Sequence, residues 1–305
     1  MQPYQEEGVE LALRYLPPRA KRLLEIGSDI GAEAVQALAR RTGLEVVGSN
    51  ISAAFPSPKA NTTAAPRLWL LRADGRSLPF RDASFDAIFS LATLEHVQGI
   101  ERFLAEVARV LAPGGVFSTH FGPMWSSAIG HHVCAVVGGK EARFWKPGRN
   151  PIPDHAHLLL SPDEMRAALQ EGPCSPELIA PILHWIYEAK DLNRWSLEDY
   201  IAAFEGSPLA LRSLHLAPGP EPAPETLAKL QQRYGSDRDF LHASMTVVLT
   251  KAPARADPRR LLFDQRVRLH RAWDDWQLQL RRGLVSRAPE VAWVVRRLRR
   301  LIHPR

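Results

Sequence analysis

Between residues 4 and 121 apolar positions come in two patterns, compact runs and stripes at helical spacing, and the two alternate along the chain. Tyr4 to Leu16 carries Val9, Leu11, Leu13 and Leu16 mostly on one side and is stopped by Pro17-Pro18, so a helix is predicted there. Leu23, Leu24 and Ile26 form a run followed by Gly27 and Gly31, which reads as a strand ending in a tight turn. Ala34, Val35, Leu38 and Ala39 give a helix stripe that ends at Thr42-Gly43, and residues 44–48 are a second strand. Strand, helix and strand in so short a span is a βαβ unit, which implies parallel pairing.

Residues 52–66 are rich in Ala, Ser and Pro and read as loop. Further strands are predicted at 68–71, 85–90 and 116–121, with an amphipathic helix marked by Ile100, Phe103, Leu104, Val107, Val110 and Leu111 before the last. This alternation predicts a doubly wound α/β sheet. Ligands of such a sheet bind beyond the carboxyl ends of the strands, where Glu25, Asn50, Asp74, Ser90 and His120 fall. Residues 211–216 and 244–250 read as two final strands, with a Pro-rich loop over 217–224. The whole is then a mostly parallel, seven-stranded Rossmann-like sheet.

Residues 122–160 break the alternation. Met124, Trp125, Phe144 and Trp145 supply apolar surface, and Pro147, Pro151 and Pro153 punctuate a long loop. Long loops in compact domains often bind ligands, so this stretch reads as a substrate lid, with a cap over the sheet edge as the alternative. Ser161-Pro-Asp-Glu164 carries the N-cap, N1 and N3 residues of a helix start, and Ser196 caps residues 197–204. Trp195, Tyr200 and Phe204 are either core or a platform for a ring-shaped acceptor.

Composition adds a boundary. The 305 residues are 45% hydrophobic and 24% charged, as in a soluble globular chain with a sizeable core. The net charge of +6 is uneven: residues 252–305 hold 14 Arg and no Lys against 5 Asp or Glu, so the tail carries +9 and residues 1–251 carry −3. The division expected is one domain over 1–251, with a lid or insert at about 122–205, and a basic helical extension over 252–305. Within the extension, residues 258–305 mix Arg with Trp, Leu and Val. That pattern suits helical packing on the body or on a second subunit, contact with an anionic membrane surface, or nucleic acid. No nucleic-acid motif accompanies the charge. Cys134 and Cys174 lie far apart and fit a reducing cytoplasm. The start shows no signal-peptide pattern, and no apolar run reaches the ~20 residues of a span. The expected location is cytoplasmic, with the tail offering peripheral contact at the inner membrane surface.

Four segments in order resemble the class I S-adenosylmethionine-dependent methyltransferases: Leu24-Glu-Ile-Gly-Ser-Asp-Ile-Gly31, Val47-Gly-Ser-Asn-Ile-Ser52, Ala73-Asp-Gly-Arg-Ser-Leu-Pro-Phe-Arg-Asp-Ala-Ser-Phe-Asp86 and Arg109-Val-Leu-Ala-Pro-Gly-Gly115. The resemblance covers roughly residues 20–121, and the last two segments are its most specific part. It implies S-adenosylmethionine as cofactor. Gly27 and Gly31 would admit the methionine part and Glu25 would favour its charged end. Asn50 and Ile51 would lie at the ribose, Asp74 and Gly75 at the adenine, and Ser90 and Leu91 at the methionine end. Two positions depart from the family pattern: Asp29 stands where a glycine is usual, and Asn50 replaces the usual ribose-binding carboxylate.

Methyl transfer from a sulfonium chiefly requires positioning of the acceptor and exclusion of water. A hydroxyl acceptor also benefits from a general base, and histidine suits neutral pH. His120 and His132 are the first candidates and His96 the next; surface or core packing is the alternative for each. No Cys or carboxylate spacing supports a metal among the histidines, and none is expected. The reading is an enzyme that methylates an oxygen of a sugar-containing or other small acceptor, loosely like bacterial glycan-associated methyltransferases. The alternatives are a non-catalytic scaffold of the same fold, binding a membrane or partner through its tail, and an RNA methyltransferase.

Overall fold

The computed structural model describes residues 2–29, 31–55 and 67–252. The basic stretch 258–305 and most of the 52–66 loop lie outside the described residues. The elements in chain order begin with α1 (Pro3–Tyr15), β1 (Arg22–Ile26), α2 (Glu33–Thr42), β2 (Glu45–Asn50), β3 (Leu68–Arg72) and β4 (Phe85–Leu91). They continue with α3 (Ile100–Val110), β5 (Leu111–Phe121), a hairpin of β6 (Cys134–Val137) and β7 (Lys140–Arg143), then α4 (Ala156–Leu159), α5 (Pro162–Glu171) and α6 (Pro176–Tyr187). The last are α7 (Leu197–Gly206), β8 (Ala210–Pro218), α8 (Pro224–Tyr234) and β9 (His242–Thr250).

Seven strands form one sheet in the order β3-β2-β1-β4-β5-β9-β8. The first five pair in parallel, and β9 runs antiparallel to both β5 and β8. The strand order reverses between β1 and β4, the crevice where ligands of open α/β sheets bind. Alternate residues of each strand face opposite layers. Leu23, Val46, Ala87 and Phe89 meet α1 and α2, whereas Leu24, Ile26, Ile88 and Phe117 meet α3 and α7. Tyr200 and Phe204 join that second layer: both are buried, and Tyr200 lies 4.7 Å from the Phe121 ring. They are core rather than an acceptor platform.

The segment between β3 and β4 is fastened by one side chain. Arg109 donates to both carboxylate oxygens of Glu106, to the carbonyls of Leu78 and Phe80, and to Asp82, at 2.7–2.9 Å. Glu106 in turn accepts from the Leu78 amide. Replacing Arg109 with Ala leaves two carbonyls and a part-buried carboxylate without their donor, which should cost about 2 kcal/mol. Denaturant unfolding of Arg109→Ala checks this; a loss below about 0.5 kcal/mol would show that water replaces the guanidinium.

Residues 122–160 differ from the expected loop: they carry the β6–β7 hairpin and α4. The β6–β7 hairpin, α5 and α6 enclose a core of their own that includes Val133, Ala142, Met165, Leu169 and Ile182. The predicted caps are present: Ser161 Oγ accepts from the Glu164 amide and Ser196 Oγ from the Asp199 amide, each with the reciprocal carboxylate bond. No helix among the described residues is long and apolar enough to cross a membrane. Cys134 and Cys174 are both free thiols.

Candidate cofactor and acceptor site

The site begins at the carboxyl end of β1. Gly27 has φ +90°, a conformation only glycine adopts readily, and a Cβ there would run into the Thr93 side chain. Its amide and that of Ser28 both donate to the Ser49 carbonyl, so the turn is sewn to β2. Glu25 is buried, and its Oε2 accepts from Ser28 Oγ at 2.6 Å. Burial pushes the Glu25 carboxyl up to about 7, the Ser28 bond opposing and the neighbouring Asp29 charge assisting. Asp29 itself keeps one buried oxygen, Oδ1, without a partner among the described residues. Gly31 is open on one side, its Cβ position meeting only Asp29 Oδ2 at 3.2 Å and Glu33.

At the end of β2, Asn50 is engaged within the turn. Its Nδ2 donates to the Ser28 carbonyl at 2.6 Å and its Oδ1 accepts from the Ser52 amide at 2.7 Å. One lone pair on Oδ1 remains for a ligand. Beside it Ile51 stands 59% exposed, an apolar side chain held out over the end of the sheet. At the end of β3 the Asp74 carboxylate is gripped by Arg76, which donates Nη2 at 2.7 Å and Nε at 3.0 Å; these bonds lower the Asp74 pKa. A Cβ on Gly75 would meet Phe103 and Ile26, so the backbone there lies tight on the core. Ser90 is wholly buried and donates to the Ile26 carbonyl, tying β4 to β1, and Leu91 is buried next to it. Tyr4, on α1, had no sequence signal. Its phenol pKa is raised first by burial and then by the charges of Asp29, Glu33 and Glu25, and α1 packs against α2, β4 and β5.

The histidines separate into two groups. His155 and His157 hold the insert together: each has its Nε2 on a backbone carbonyl, of Phe240 and Trp125 respectively. Burial drives His157 down to about 3, so it stays neutral and donates. His131 is likewise buried, and its pKa is lowered mainly by that burial. Among the described residues, His120, His132 and His96 have Nδ1 bonded and no partner at Nε2 other than Glu95 facing His132. His120 Nδ1 meets Thr246 Oγ1 at 2.8 Å, His96 Nδ1 meets the Asp191 carbonyl at 3.0 Å, and His132 Nδ1 meets the Gly130 carbonyl at 2.9 Å. Burial lowers the His120 pKa, leaving a neutral ring at pH 7. His96 and His132 lie edge to face at 5.6 Å between ring centres, and His132 Nε2 is 3.8 Å from Glu95 Oε1. The single-turn helix Leu94–His96 that carries two of these groups is braced by Asn193, whose Nδ2 donates to the carbonyls of Leu94 and Val97.

The family described as a methyltransferase domain matches residues 24–119. The O-methyltransferase rstn1 of Aspergillus nomiae is 34% identical over 109 residues, 34% of this chain and 48% of that protein. The demethylmenaquinone methyltransferase of Thermus thermophilus is 33% identical over 114 residues, 37% of this chain and 50% of that protein. The chain thus spans about half the length of these curated relatives. Geranyl diphosphate C-methyltransferase from Streptomyces coelicolor A3(2), solved with S-adenosyl-L-homocysteine, aligns with a TM-score of 0.47 at 14% identity, covering 81% of this chain and 76% of that one. Residues 24–119 are thus similar to the class I S-adenosylmethionine-dependent methyltransferases. The cofactor of that family is S-adenosylmethionine, and the residues present suit it: two acidic groups at the glycine turn complement its cationic end, and Ile51 offers a face for a planar base.

Proposed function

We propose that this chain methylates a hydroxyl of a sugar-containing or other small acceptor, using S-adenosylmethionine and an imidazole base. The observation that carries the reading is a juxtaposition: the acidic glycine turn of β1 lies across the sheet's switch point from His96 just beyond β4 and His120 on β5, with His132 of the insert packed against His96. S-adenosylmethionine, when bound, supplies a methyl group on a positively charged sulfur. Glu25 and Asp29 hold the charged end, the Gly27 turn lets the backbone lie against it, and Asp74 accepts from the adenine amino group. His120 takes the hydroxyl proton at Nε2, its Nδ1 being fixed on Thr246. The insert built of the β6–β7 hairpin, α5 and α6 supplies the cover that excludes water in this reading.

The test is turnover with methyl-labelled S-adenosylmethionine against a panel of sugar, phenolic and aliphatic hydroxyl acceptors. His120→Ala should lower turnover on the best acceptor by roughly a hundredfold, the usual contribution of a positioned base, with S-adenosylhomocysteine affinity unchanged. Unchanged turnover would remove His120 from the base role. Asp74→Ala should weaken binding of S-adenosylhomocysteine by about tenfold, the worth of one good hydrogen bond to a charged group. An unaltered Kd in calorimetry would show that Asp74 serves only to hold Arg76.

A further inference from the structure

We propose that Glu95, His96 and His132 form a binding site for one divalent transition-series cation. Their ligand atoms all lie within 4.8 Å of one another. Ligands of a tetrahedral zinc ion, each at about 2.0–2.2 Å, stand ~3.4 Å apart, so the widest pair of the set must draw together by about 1 Å or a little more, a movement within reach of side-chain rotation at the exposed His96. Two of the three side chains are almost wholly buried, Glu95 3% and His132 5% exposed, and each keeps a polar atom without a hydrogen-bond partner among the described residues: Glu95 Oε2 and His132 Nε2. Unpartnered polar atoms buried in this way are costly, and a shared cation would satisfy both.

The surroundings orient the three groups as ligands. Each imidazole donates Nδ1–H to a main-chain carbonyl, Asp191 for His96 and Gly130 for His132, which fixes the tautomer with a lone pair on Nε2. The Gly122 amide donates to Glu95 Oε1 at 3.2 Å and leaves Oε2 free. The Phe144 ring lies 4.9 Å from His132 and shields it on one side. Two imidazoles and one carboxylate favour zinc, cobalt, nickel or iron over calcium or magnesium, which prefer all-oxygen sites. Three protein ligands leave at least one coordination position open, the mark of a site that takes an exogenous oxygen. Placed at the end of β4, that oxygen is the acceptor hydroxyl, a role that rests on the methyltransferase reading; the binding of the cation does not.

The test is a Co2+ titration of the chelator-stripped full-length protein, followed by visible absorption. One equivalent should bind and give the d–d bands of a nitrogen-ligated ion. His96→Ala and His132→Ala should each weaken binding at least tenfold, whereas His184→Ala, at an exposed site on α6, should leave it unchanged. Circular dichroism and S-adenosylhomocysteine binding are measured on the same samples. His96 is exposed, so His96→Ala keeps the test informative if His132→Ala does not fold. Cobalt binding that is absent at millimolar ion, or equal in wild type, His96→Ala and His184→Ala, would overturn the proposal. With S-adenosylhomocysteine still bound, that outcome removes the cation alone. Loss of S-adenosylhomocysteine binding with cobalt retained would strike instead at the cofactor reading.

Discussion

Gly27→Ala should abolish cofactor binding and destabilise the fold together. An L-residue at φ +90° costs about 1–2 kcal/mol by backbone strain, and its Cβ would overlap the Thr93 side chain, which must move. Overpacking of that kind adds roughly 1–3 kcal/mol, so a loss of about 3 kcal/mol is expected in denaturant unfolding. Thr93 lies directly before the Leu94–His96 turn, so the displacement reaches both the glycine turn and the imidazoles. Binding of S-adenosylhomocysteine should fall at least a hundredfold. Adding Thr93→Ala removes the two closest contacts, leaving only the one with the Cβ of that residue, and should restore part of the stability while the backbone strain remains. A Gly27→Ala variant as stable as wild type, with full affinity, would show that the turn adapts and is not the cradle described.

Glu25→Gln should separate stability from binding, with a sign that depends on pH. The Glu25 carboxyl has its folded pKa raised from 4.5 to about 7, first by burial. A group with a raised folded pKa contributes stability fully below its unfolded pKa and loses it as pH rises through the folded one. For Glu25 the loss runs from about pH 4.5 to 7 and amounts to about 3 kcal/mol for the shift. Glu25→Gln has no such proton to lose. It should match or fall below wild type at pH 5 and exceed it by up to about 3 kcal/mol at pH 8, read from parallel denaturant curves. Cofactor affinity should go the other way. A cationic ligand selects the ionised carboxylate, so wild-type affinity should rise about tenfold between pH 6 and 8 as the group ionises. The variant should bind more weakly at pH 8, without that rise. Identical pH profiles for the two proteins would mean that Glu25 does not face the ligand's charge.

The parts of the fold that could be read in advance share one property: their signal is local. β1 through β4 are short apolar runs, and Gly27 and Gly43 punctuate them, so both element and boundary are written in neighbouring residues; β5 differs, beginning at Leu111 and carrying Pro113-Gly114-Gly115 within it ahead of the expected run 116–121. The hairpin β6–β7 escaped because Cys134, Val136 and Val137 are exposed and no apolar alternation marks the pair. α6 carries Pro181 in its interior, a residue that ordinarily breaks the pattern, and is fixed instead by burial of Leu178, Ile179, Ile182 and Ile186 in the insert's core. α8 buries only Leu230 and so lacks a stripe.

The candidate site divides in the same way. Glu25, Gly27 and Asp74 lie in continuous motifs beside strands. Tyr4 feels the charges of Asp29 and Glu25 only because α1 packs against α2, β4 and β5. The grouping of Glu95 and His96 with His132 depends on how the insert returns to the end of β4, held by Asn193 and the Trp185–His131 bond. Histidines far apart in sequence carry no ligand spacing, so each looked like a lone base. Asn50 shows a further limit. Its replacement of a carboxylate was visible, but its engagement with both Ser28 and Ser52 is a property of the folded turn.

The measurement that tests the central claim most directly is calorimetric titration of the full-length protein at pH 8 with S-adenosylmethionine and with S-adenosylhomocysteine. Saturable binding of both at one equivalent is the predicted result. The absence of heat with either ligand up to millimolar concentration, on a sample that unfolds cooperatively, would contradict it; the chain would then carry the methyltransferase fold without its cofactor, as a scaffold.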